Sequence, residues 1–261
     1  MGVNIDFWKN KKVFITGHTG FLGGWTCAYL LNLESKIYGY SLLPSTRPNF
    51  FSALNLEKKI DKSNVADILN YKELVKAIKN AQPSIVLHMA AQPLVKESYA
   101  SPLKTFETNA IGTANILNAI RSVKTVKAII NITTDKCYEN KEWIWPYREN
   151  DKLGGFDPYS ASKACSEIIT KSFKKSFFEK SQVAIATARI GNVIGGGDWA
   201  KDRLVPDFFR SFDKNTKLII RNPNSIRPWQ HVLEPISGLL TLAEKMVKFK
   251  NKYSGPWNFG P

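Results

Sequence analysis

Cysteine is scarce in this sequence of 261 residues, which contains only Cys27, Cys137 and Cys165. Three cysteines cannot pair completely, and their scatter matches no metal-binding spacing. The scarcity argues against a disulfide-stapled secreted domain and against a zinc module. We therefore predict reduced thiols, no bound metal and a cytoplasmic location.

Long apolar runs are also missing. No uninterrupted apolar stretch approaches the roughly 18 residues of a membrane-spanning helix. The amino-terminal stretch MGVNIDFWKNKK has no apolar core of the kind found in signal peptides. These absences predict a soluble protein without a membrane partner.

Acidic residues are in the minority, since 22 Asp and Glu stand against 37 Lys and Arg. The positive charges are spread along the chain, with neither a block of like charges nor a basic stripe interleaved with aromatic residues. We therefore predict no nucleic-acid partner. A diffuse basic surface suits an anionic ligand, but it can equally reflect a composition rich in Lys, Asn and Ile.

The sequence does contain an alternation of strand-like and helix-like segments. Short apolar runs predict strands at KKVFITG, KIYGYS, SIVLHMAA, KAIINIT and VAIATARI, and segments such as YKELVKAIKN have helical spacing. This alternation predicts an α/β fold, a Rossmann-type doubly wound parallel sheet with helices on both faces.

Beyond about residue 190 the composition changes to stretches rich in Gly, Pro, Trp and Arg, which are typical of ligand-facing loops. We expect residues 1–190 to form the dinucleotide-binding domain with the catalytic residues. Residues 191–261 are expected to form a small substrate-binding region that is interleaved with the domain. The apolar run at Trp257 predicts a strand without a continuation, so we expect a C-terminal portion of this region to be missing.

A glycine turn lies between the first predicted strand and the first predicted helix. Gly17, Gly20 and Gly23 form the pattern G-x-x-G-x-x-G. Glycines at this place let the backbone approach a pyrophosphate, whose charge is met by the helix N-terminus. The turn predicts a dinucleotide site, with ordinary turn glycines as the alternative, and the cofactor residues here would be Gly17, Thr19, Gly20, Phe21, Leu22 and Gly23.

The adenosine end of the site is less clear. A residue that reads the ribose is expected about twenty positions after the turn. Ser41 occupies that place, no acid is there, and Arg47 follows, so this motif does not decide between NAD and NADP. Asp67, followed by Ile68, could meet the adenine edge or could be a solvated helix cap.

Tyr159 and Lys163 are four residues apart in a helical segment, which places both side chains on one face. A lysine cation near a phenol favours the phenolate, and a positive nicotinamide ring would favour it further, so that Tyr159 could act as a base near neutral pH. Thr134, at the end of a predicted strand, could bond the same substrate hydroxyl. Taken alone, the tyrosine and lysine are equally consistent with a surface helix.

In this order, the glycine turn, Thr134, Tyr159 and Lys163 resemble the extended short-chain dehydrogenase/reductase family, and the resemblance covers nearly the whole chain. It implies a Rossmann fold, a nicotinamide cofactor and a catalytic set of tyrosine, lysine and threonine. A narrower similarity, to the nucleotide-sugar 4,6-dehydratases that act on CDP-glucose, rests on GHTGFLGGW, HMAAQPLVKESYASP, TNAIGT, TTDKCYEN, GGFDPYSASKACSE, RIGNVIGGGDWAKDRLVPD and RPWQHVLEP.

The narrower similarity implies NAD as the cofactor, CDP-glucose as the substrate and its 4-dehydro-6-deoxy derivative as the product. It also implies a role in deoxysugar synthesis for lipopolysaccharide O-antigen and assembly as a homodimer or a tetramer of dimers. A 4-epimerase or another dehydratase of the family remains an alternative, as does a catalytically silent dinucleotide-binding module.

Further site residues follow from the resemblance. Asp135 would be the acid that helps the C6 hydroxyl leave, while Lys136, where many relatives have Glu, would be either the C5 base or a fixed cation beside the enolate. Asn109 would support the active-site lysine, or else cap or kink a helix, and His88 is expected to pack at a strand end. The remaining candidates are Ala90 and Ala91 for the cofactor, Gln92 for the cofactor and the sugar, and Asn192, Arg203 and Arg227 for the nucleotide sugar.

Overall fold

Seven parallel strands form the main sheet in a computed structural model that describes residues 2–181, 183–220 and 222–261. The strands are β1 (Lys12–Thr16), β2 (Lys36–Ser41), β3 (Lys62–Val65), β4 (Ile85–His88), β5 (Ala128–Thr134), β6 (Ala184–Ile190) and, after a second sheet, β9 (Gly255–Phe259). They lie in the order β3-β2-β1-β4-β5-β6-β9. The second sheet pairs β7 (Asn192–Ile194) with β8 (Trp229–His231), also in parallel.

Helices connect the strands and cover the sheet. They are α1 (Ile5–Trp8), α2 (Phe21–Asn32), α3 (Phe50–Ala53), α4 (Leu56–Lys59), α5 (Tyr71–Ala81), α6 (Val95–Ala100), α7 (Pro102–Phe106), α8 (Gly112–Ile120), α9 (Pro158–Phe173), α10 (Leu204–Asp213) and α11 (Leu233–Phe249). Single π-helical turns occupy Glu107–Ile111 and Lys174–Phe178, and 3-10 turns occupy Asp135–Cys137 and Lys250–Tyr253. Within the described ranges, no helix is both long and apolar enough to cross a membrane.

Alternate residues of the central strands pack on opposite faces of the sheet, because side chains along a strand point alternately to its two sides. Ile15 and Ile130 lie in the core cluster with α2 and α11. Phe14 and Ile129 lie in the cluster with α5 and α8. Both faces are therefore buried, which explains why the strands read as continuous apolar runs in the sequence.

The prediction of a doubly wound parallel sheet is confirmed. The order of the first six strands is that of dinucleotide-binding folds, in which the chain changes direction between β1 and β4. The segment at Trp257 is the strand β9, which pairs with β6 at the edge of the main sheet. Since α11 and β9 return to the main sheet, the two regions interleave, and the division at residue 190 stays a prediction.

Candidate functional site

A cleft of about 1490 Å³ opens at the carboxyl ends of the parallel strands. This is the place where open α/β sheets bind ligands, because the direction change between neighbouring strands leaves a crevice there. Residues from both predicted regions line the cleft. Its walls include nearly all the predicted cofactor residues, namely Gly17, Thr19, Gly20, Phe21, Leu22, Gly23, Ser41, Asp67, Ile68, Ala90, Ala91, Gln92, Thr134, Tyr159 and Lys163.

The glycine turn is held so tightly that side chains would not fit. Gly17 has a φ of +76°, and a Cβ there would lie 2.7 Å from the backbone nitrogen of Ala90. A Cβ on Gly23 would lie 2.1 Å from the Gly17 carbonyl oxygen, so the glycine lets α2 approach the turn. Gly20 caps α2 without a side-chain hydrogen bond, which leaves N–H groups of the helix N-terminus available to an anion.

The hydroxyl groups of Thr19 and Ser41 lie at the end of β2, where many dinucleotide-binding proteins have an acidic residue that binds the ribose. The Oγ atoms of Thr19 and Ser41 are 2.9 Å apart, and Thr19 also donates to the Leu42 carbonyl oxygen at 2.8 Å. These contacts join the glycine turn to the end of β2.

The Asp67 carboxylate organises a turn. Its Oδ1 accepts from the Leu69 N–H at 2.9 Å, and its Oδ2 lies 3.3 Å from Lys104 Nζ. The N-cap of α5 is Asn70, which accepts from the Glu73 N–H. The alternative of Asp67 as the cap is therefore wrong, whereas a role at the adenine edge stays a prediction.

Thr134, Tyr159 and Lys163 come together beneath the cleft. The Asp157 side chain caps α9 by accepting from the Ser160 N–H at 3.0 Å, and both Tyr159 and Lys163 are buried on this helix. Lys163 Nζ donates to the Ile132 carbonyl oxygen on β5 at 3.0 Å. Thr134 lies near enough to the Tyr159 hydroxyl to lower its pKa. The spacing of four residues therefore belongs to a buried helix face.

Burial dominates the ionisation of both groups. It raises the pKa of Tyr159 to about 12, although the neighbouring Thr134 lowers it. It also lowers the pKa of Lys163 to about 8, against the opposing charge of Glu167. Apart from Thr134, the side chain that lowers the Tyr159 pKa is Arg203. That Lys163 favours the phenolate stays a prediction.

Asp135 and Lys136 form an ion pair on the 3-10 turn that follows β5. Lys136 Nζ lies 3.1 Å from Asp135 Oδ1, and the two side chains are 35% and 32% exposed. The same carboxylate oxygen accepts from Thr134 Oγ1 at 3.0 Å. Since Thr134 also lowers the Tyr159 pKa, the Asp135–Lys136 pair and Tyr159 have Thr134 as a common neighbour.

Asn109 does not contact Lys163 in the way that the resemblance implies, because Lys163 Nζ donates to a backbone carbonyl instead. The buried Asn109 amide lies on a π-helical turn and clamps the backbone of Gln92, with Oδ1 accepting at 2.8 Å and Nδ2 donating at 3.1 Å. Its Nδ2 also donates to Ser162 Oγ on α9 at 2.8 Å. The alternative of a helix irregularity is the one that the structure supports.

The side chains of Gln92 and His88 also form hydrogen bonds with other residues of the protein. The Gln92 side-chain amide donates to Thr105 Oγ1 and to the Leu94 carbonyl oxygen, so its contact with a sugar stays a prediction. His88 is buried between Thr16 and Thr113, and burial lowers its pKa to about 3. The prediction of a packed histidine is confirmed.

The predicted nucleotide-sugar residues Asn192, Arg203 and Arg227 line the same cleft. Asn192 Oδ1 is buried and has no hydrogen-bond partner among the described residues, so it is available to a ligand donor. Arg203 pairs with Asp198 at 2.8 Å but is 34% exposed, and Arg227 is exposed. Their contacts with a substrate stay predictions.

Sequence reasoning missed an ion pair that joins the two regions. Lys96 Nζ, on α6, lies 3.1 Å from Asp202 Oδ1, in the loop before α10. Both residues line the cleft. Because 106 residues separate them, no local pattern could reveal the contact. Within the described part of the chain, no group of three or more His, Cys, Asp or Glu could hold a metal ion.

Comparisons with known proteins agree with this geometry. Residues 13–257 match the model of the NAD dependent epimerase/dehydratase family. A CDP-glucose 4,6-dehydratase of Salmonella typhimurium is 48% identical over 99% of this chain and 73% of its own length. A UDP-glucose 4-epimerase of Mycoplasma genitalium is 29% identical over 81% of this chain and 58% of its own length.

Solved structures share the fold. DesIV, a dTDP-glucose 4,6-dehydratase from Streptomyces venezuelae solved as a double mutant with NAD and DAU bound, has a TM-score of 0.81 at 19% identity, covering 95% of this chain and 75% of its own. MoeE5 in complex with UDP-glucose and NAD has a TM-score of 0.77 at 20% identity, covering 95% and 76%. The family predicted from the motifs is confirmed. The chain belongs to the NAD dependent epimerase/dehydratase family.

Proposed function

We propose that this chain dehydrates CDP-glucose to CDP-4-dehydro-6-deoxyglucose, with NAD as a hydride carrier. The observation that carries the proposal is the grouping of Thr134, Lys136, Tyr159 and Lys163 on the wall of one cleft, where Thr134 Oγ1 donates to Asp135 and Lys136 pairs with Asp135. The 48% identity with a CDP-glucose 4,6-dehydratase supports both the reaction and the substrate.

The glycine turn fits a dinucleotide. Its close approach to Ala90 and the free helix N-terminus of α2 form a cradle for a pyrophosphate. NAD held in this cradle would supply a hydride acceptor for the oxidation at C4 and the hydride for the reduction at C6. On this basis we propose that the cofactor residues predicted from the sequence bind NAD. Asn109 would contribute indirectly, by holding the backbone of Gln92.

In the oxidation half, Tyr159 takes the proton of the C4 hydroxyl, and Thr134 orients that hydroxyl. Burial holds the pKa of Tyr159 near 12, so the phenol needs positive charge nearby to act as a base near neutral pH. Arg203 supplies part of that charge from the substrate region, since it lowers the Tyr159 pKa. Lys163 is proposed to hold the cofactor ribose.

In the elimination half, the proton of C5 leaves and the C6 hydroxyl departs as water. Asp135 is proposed as the acid that protonates this hydroxyl. Transfer of the shared proton from Lys136 to Asp135 across their 3.1 Å contact would leave a neutral amine for the C5 proton and an acid for C6. Alternatively, Lys136 stays charged and stabilises the enolate, while the Asp135 carboxylate takes the C5 proton and passes it to the departing C6 hydroxyl.

A 4-epimerase is the second candidate, because the family includes one at 29% identity. An epimerase has no use for an acid and base pair beside the catalytic tyrosine. The placement of Asp135 and Lys136 on a turn bonded to Thr134 therefore favours the dehydratase.

The proposal extends to the setting of the enzyme. The cysteines Cys27, Cys137 and Cys165 are free thiols, in keeping with a reducing cytoplasm. A role in deoxysugars of lipopolysaccharide O-antigen and assembly as a homodimer or tetramer of dimers follow from the resemblance and are proposed on that basis alone.

The test supplies the protein with NAD and with CDP-glucose, UDP-glucose or dTDP-glucose in parallel. We expect CDP-glucose to lose one water by mass spectrometry, and deuterium placed at C4 to appear at C6 of the product. A product of unchanged mass with an inverted C4 would contradict the dehydratase in favour of the epimerase. Equal turnover of all three sugars would keep the reaction and remove the substrate assignment.

A further inference from the structure

A buried ion pair lies behind the catalytic helix. Glu167 Oε2, on α9, lies 2.8 Å from Arg189 Nη2, on β6, and the two side chains are only 3% and 4% exposed. Glu167 also accepts from the hydroxyls of Thr133 on β5 and Thr187 on β6. Moving two charges out of water costs free energy that their mutual attraction often fails to recover. A buried ion pair is therefore weak evidence for a stabilising role.

Arg189 also donates hydrogen bonds to the segment that follows the Asp135–Cys137 turn. Its Nη1 donates to the Tyr138 hydroxyl at 2.8 Å and to the Glu149 carbonyl oxygen at 2.9 Å. The guanidinium also lies 4.8 Å from the centre of the Tyr138 ring. The arginine therefore connects α9, through Glu167, to the residue directly after the turn.

The Tyr138 hydroxyl is held on its other side as well. It donates to Asn258 Oδ1 on β9 at 2.6 Å, and the ring stacks on Tyr147 with centroids 5.1 Å apart. The Asn258 amide in turn donates to the Tyr147 carbonyl oxygen at 2.9 Å. Tyr138 is 4% exposed, so its hydroxyl is a buried junction between the turn and two strands.

Two routes of polar contacts among the described residues thus join α9 to the turn with Asp135 and Lys136. The first runs from Tyr159 through Thr134 to Asp135, and these groups must exchange hydrogen bonds with the substrate during the reaction. The second runs from Glu167 through Arg189 to Tyr138 and touches no reacting group. The second route can keep its bonds while protons move along the first.

We propose that the Tyr138 hydroxyl, held between Arg189 and Asn258, is a positioning group that keeps the Asp135–Lys136 pair aligned with the substrate during elimination. This inference rests on the proposed dehydratase function. It assigns to Tyr138 an effect on the second half of the reaction, because the group it steadies is the turn and not α9. Hydride transfer at C4 depends on Tyr159 and Lys163, which α9 holds through other contacts.

The test replaces Tyr138 by Phe, which removes the hydroxyl and keeps the ring. Misplacing a catalytic group by about 1 Å can cost on the order of a hundredfold in rate. For Tyr138→Phe we expect dehydration of CDP-glucose to slow by roughly tenfold to a hundredfold, with an almost unchanged KM. Oxidation at C4 should continue, so reduced cofactor should accumulate and be visible by its absorbance.

Two further variants make the test specific. Asn258→Ala removes the exposed acceptor of the Tyr138 hydroxyl and should cause the same accumulation to a smaller extent. Thr187→Val removes a different hydrogen bond to Glu167 and leaves Tyr138 in place, so it should keep the wild-type ratio of reduced cofactor to product. Should Tyr138→Phe fail to fold, the ratio of reduced cofactor to product in Asn258→Ala is compared with the ratio in Thr187→Val, and a higher ratio in Asn258→Ala supports the positioning role.

The outcomes separate the two proposals. If the wild type does not dehydrate CDP-glucose, the proposed function fails and the positioning role falls with it. If the wild type is active but Tyr138→Phe keeps the wild-type ratio, or slows oxidation and elimination equally, only the positioning role is overturned. A lower melting temperature with an unchanged ratio would also contradict it, since that is the result expected of a purely structural contact.

Discussion

Tyr159 and Lys163 show how one environment acts in opposite directions on two neighbouring groups. Low polarity disfavours the charged form, so burial raises the phenol pKa to about 12 and lowers the ammonium pKa to about 8. Glu167 opposes the shift of Lys163, which keeps the ammonium in its charged form over a wider pH range. The chain therefore prepares a cation beside a neutral phenol, and activation of the phenol depends on charges brought by the cofactor and by Arg203.

At this scale, the two halves of the proposed reaction can be separated by substitution. Asp135→Asn and Lys136→Ala should slow elimination by on the order of a hundred- to ten-thousandfold, because each removes a group that handles a proton in that step. Both variants should still oxidise C4, so absorbance of the reduced cofactor should rise under CDP-glucose and stay low in the wild type.

Tyr159→Phe is the matched control, since it removes the proton acceptor of the first half and should give neither product nor reduced cofactor while still binding NAD. Failure of Asp135→Asn and Lys136→Ala to reduce the cofactor would mean that the pair acts before elimination.

In the unit formed by β1, the glycine turn and α2, the absence of side chains at two glycines allows the helix to pack against the turn. Both Gly17 and Gly23 stand where a Cβ would collide with backbone, whereas a Cβ on Gly20 would lie 3.3 Å from the nearest atom, the Gly17 carbonyl oxygen. The turn is therefore shaped by its first and third glycines. The helix N-terminus reaches the cleft only because α2 can approach the turn at Gly23.

Gly23→Ala should weaken NAD binding by more than tenfold, because the added methyl group forces α2 away from the turn. Overpacking of this kind costs about 1–3 kcal/mol. Titration of NAD against tryptophan fluorescence measures the effect, with Gly20→Ala as the control in the same turn. A similar loss in both variants would show that close approach at Gly23 is not the decisive feature.

Across the whole molecule, two histidines are buried in the folded protein without charge. Burial lowers the pKa of His18 to about 4 and that of His88 to about 3, and the charge of Lys163 contributes to the second shift. His18 bonds Ser63 on β3 and His88 bonds Thr16 on β1, so both imidazoles are part of the packing between strand ends. Protonating either one therefore places a charge among buried groups, which costs free energy.

We predict that the protein loses stability as the pH falls below 6.5. Between pH 6.5 and about 4 the unfolded chain binds more protons at these histidines than the folded chain does, so the free energy of unfolding decreases on acidification. Since one pKa unit corresponds to about 1.36 kcal/mol, the complete loss amounts to roughly 3 kcal/mol for His18 and roughly 5 kcal/mol for His88, the latter reached only near pH 3.

Calorimetry near pH 5.5 should show uptake of about two protons on unfolding, because carboxylates contribute little at that pH. A melting temperature that stays constant from pH 7 to pH 5 would contradict the prediction.

The sequence by itself determined the features that depend on neighbours along the chain. Burial of β1 and β5 on both faces requires apolar residues at successive positions, which is why the strands were recognisable. The glycine turn and the spacing of Tyr159 and Lys163 are equally local, because a turn and a helix are built from residues a few positions apart. Family, fold and cofactor were therefore predictable before the structure.

Only the tertiary structure decided how the site is held and charged. Asn109 was assigned to Lys163 but holds Gln92 and Ser162. Glu167, Arg189 and Tyr138 lie in three of the motifs quoted for the resemblance, but nothing in the sequence indicated that they contact one another. Their partners lie on other elements, so no local spacing records them. The pKa shifts of Tyr159 and Lys163 likewise depend on burial, which arises only when β5, β6, α9 and the cleft loops pack together and exclude water.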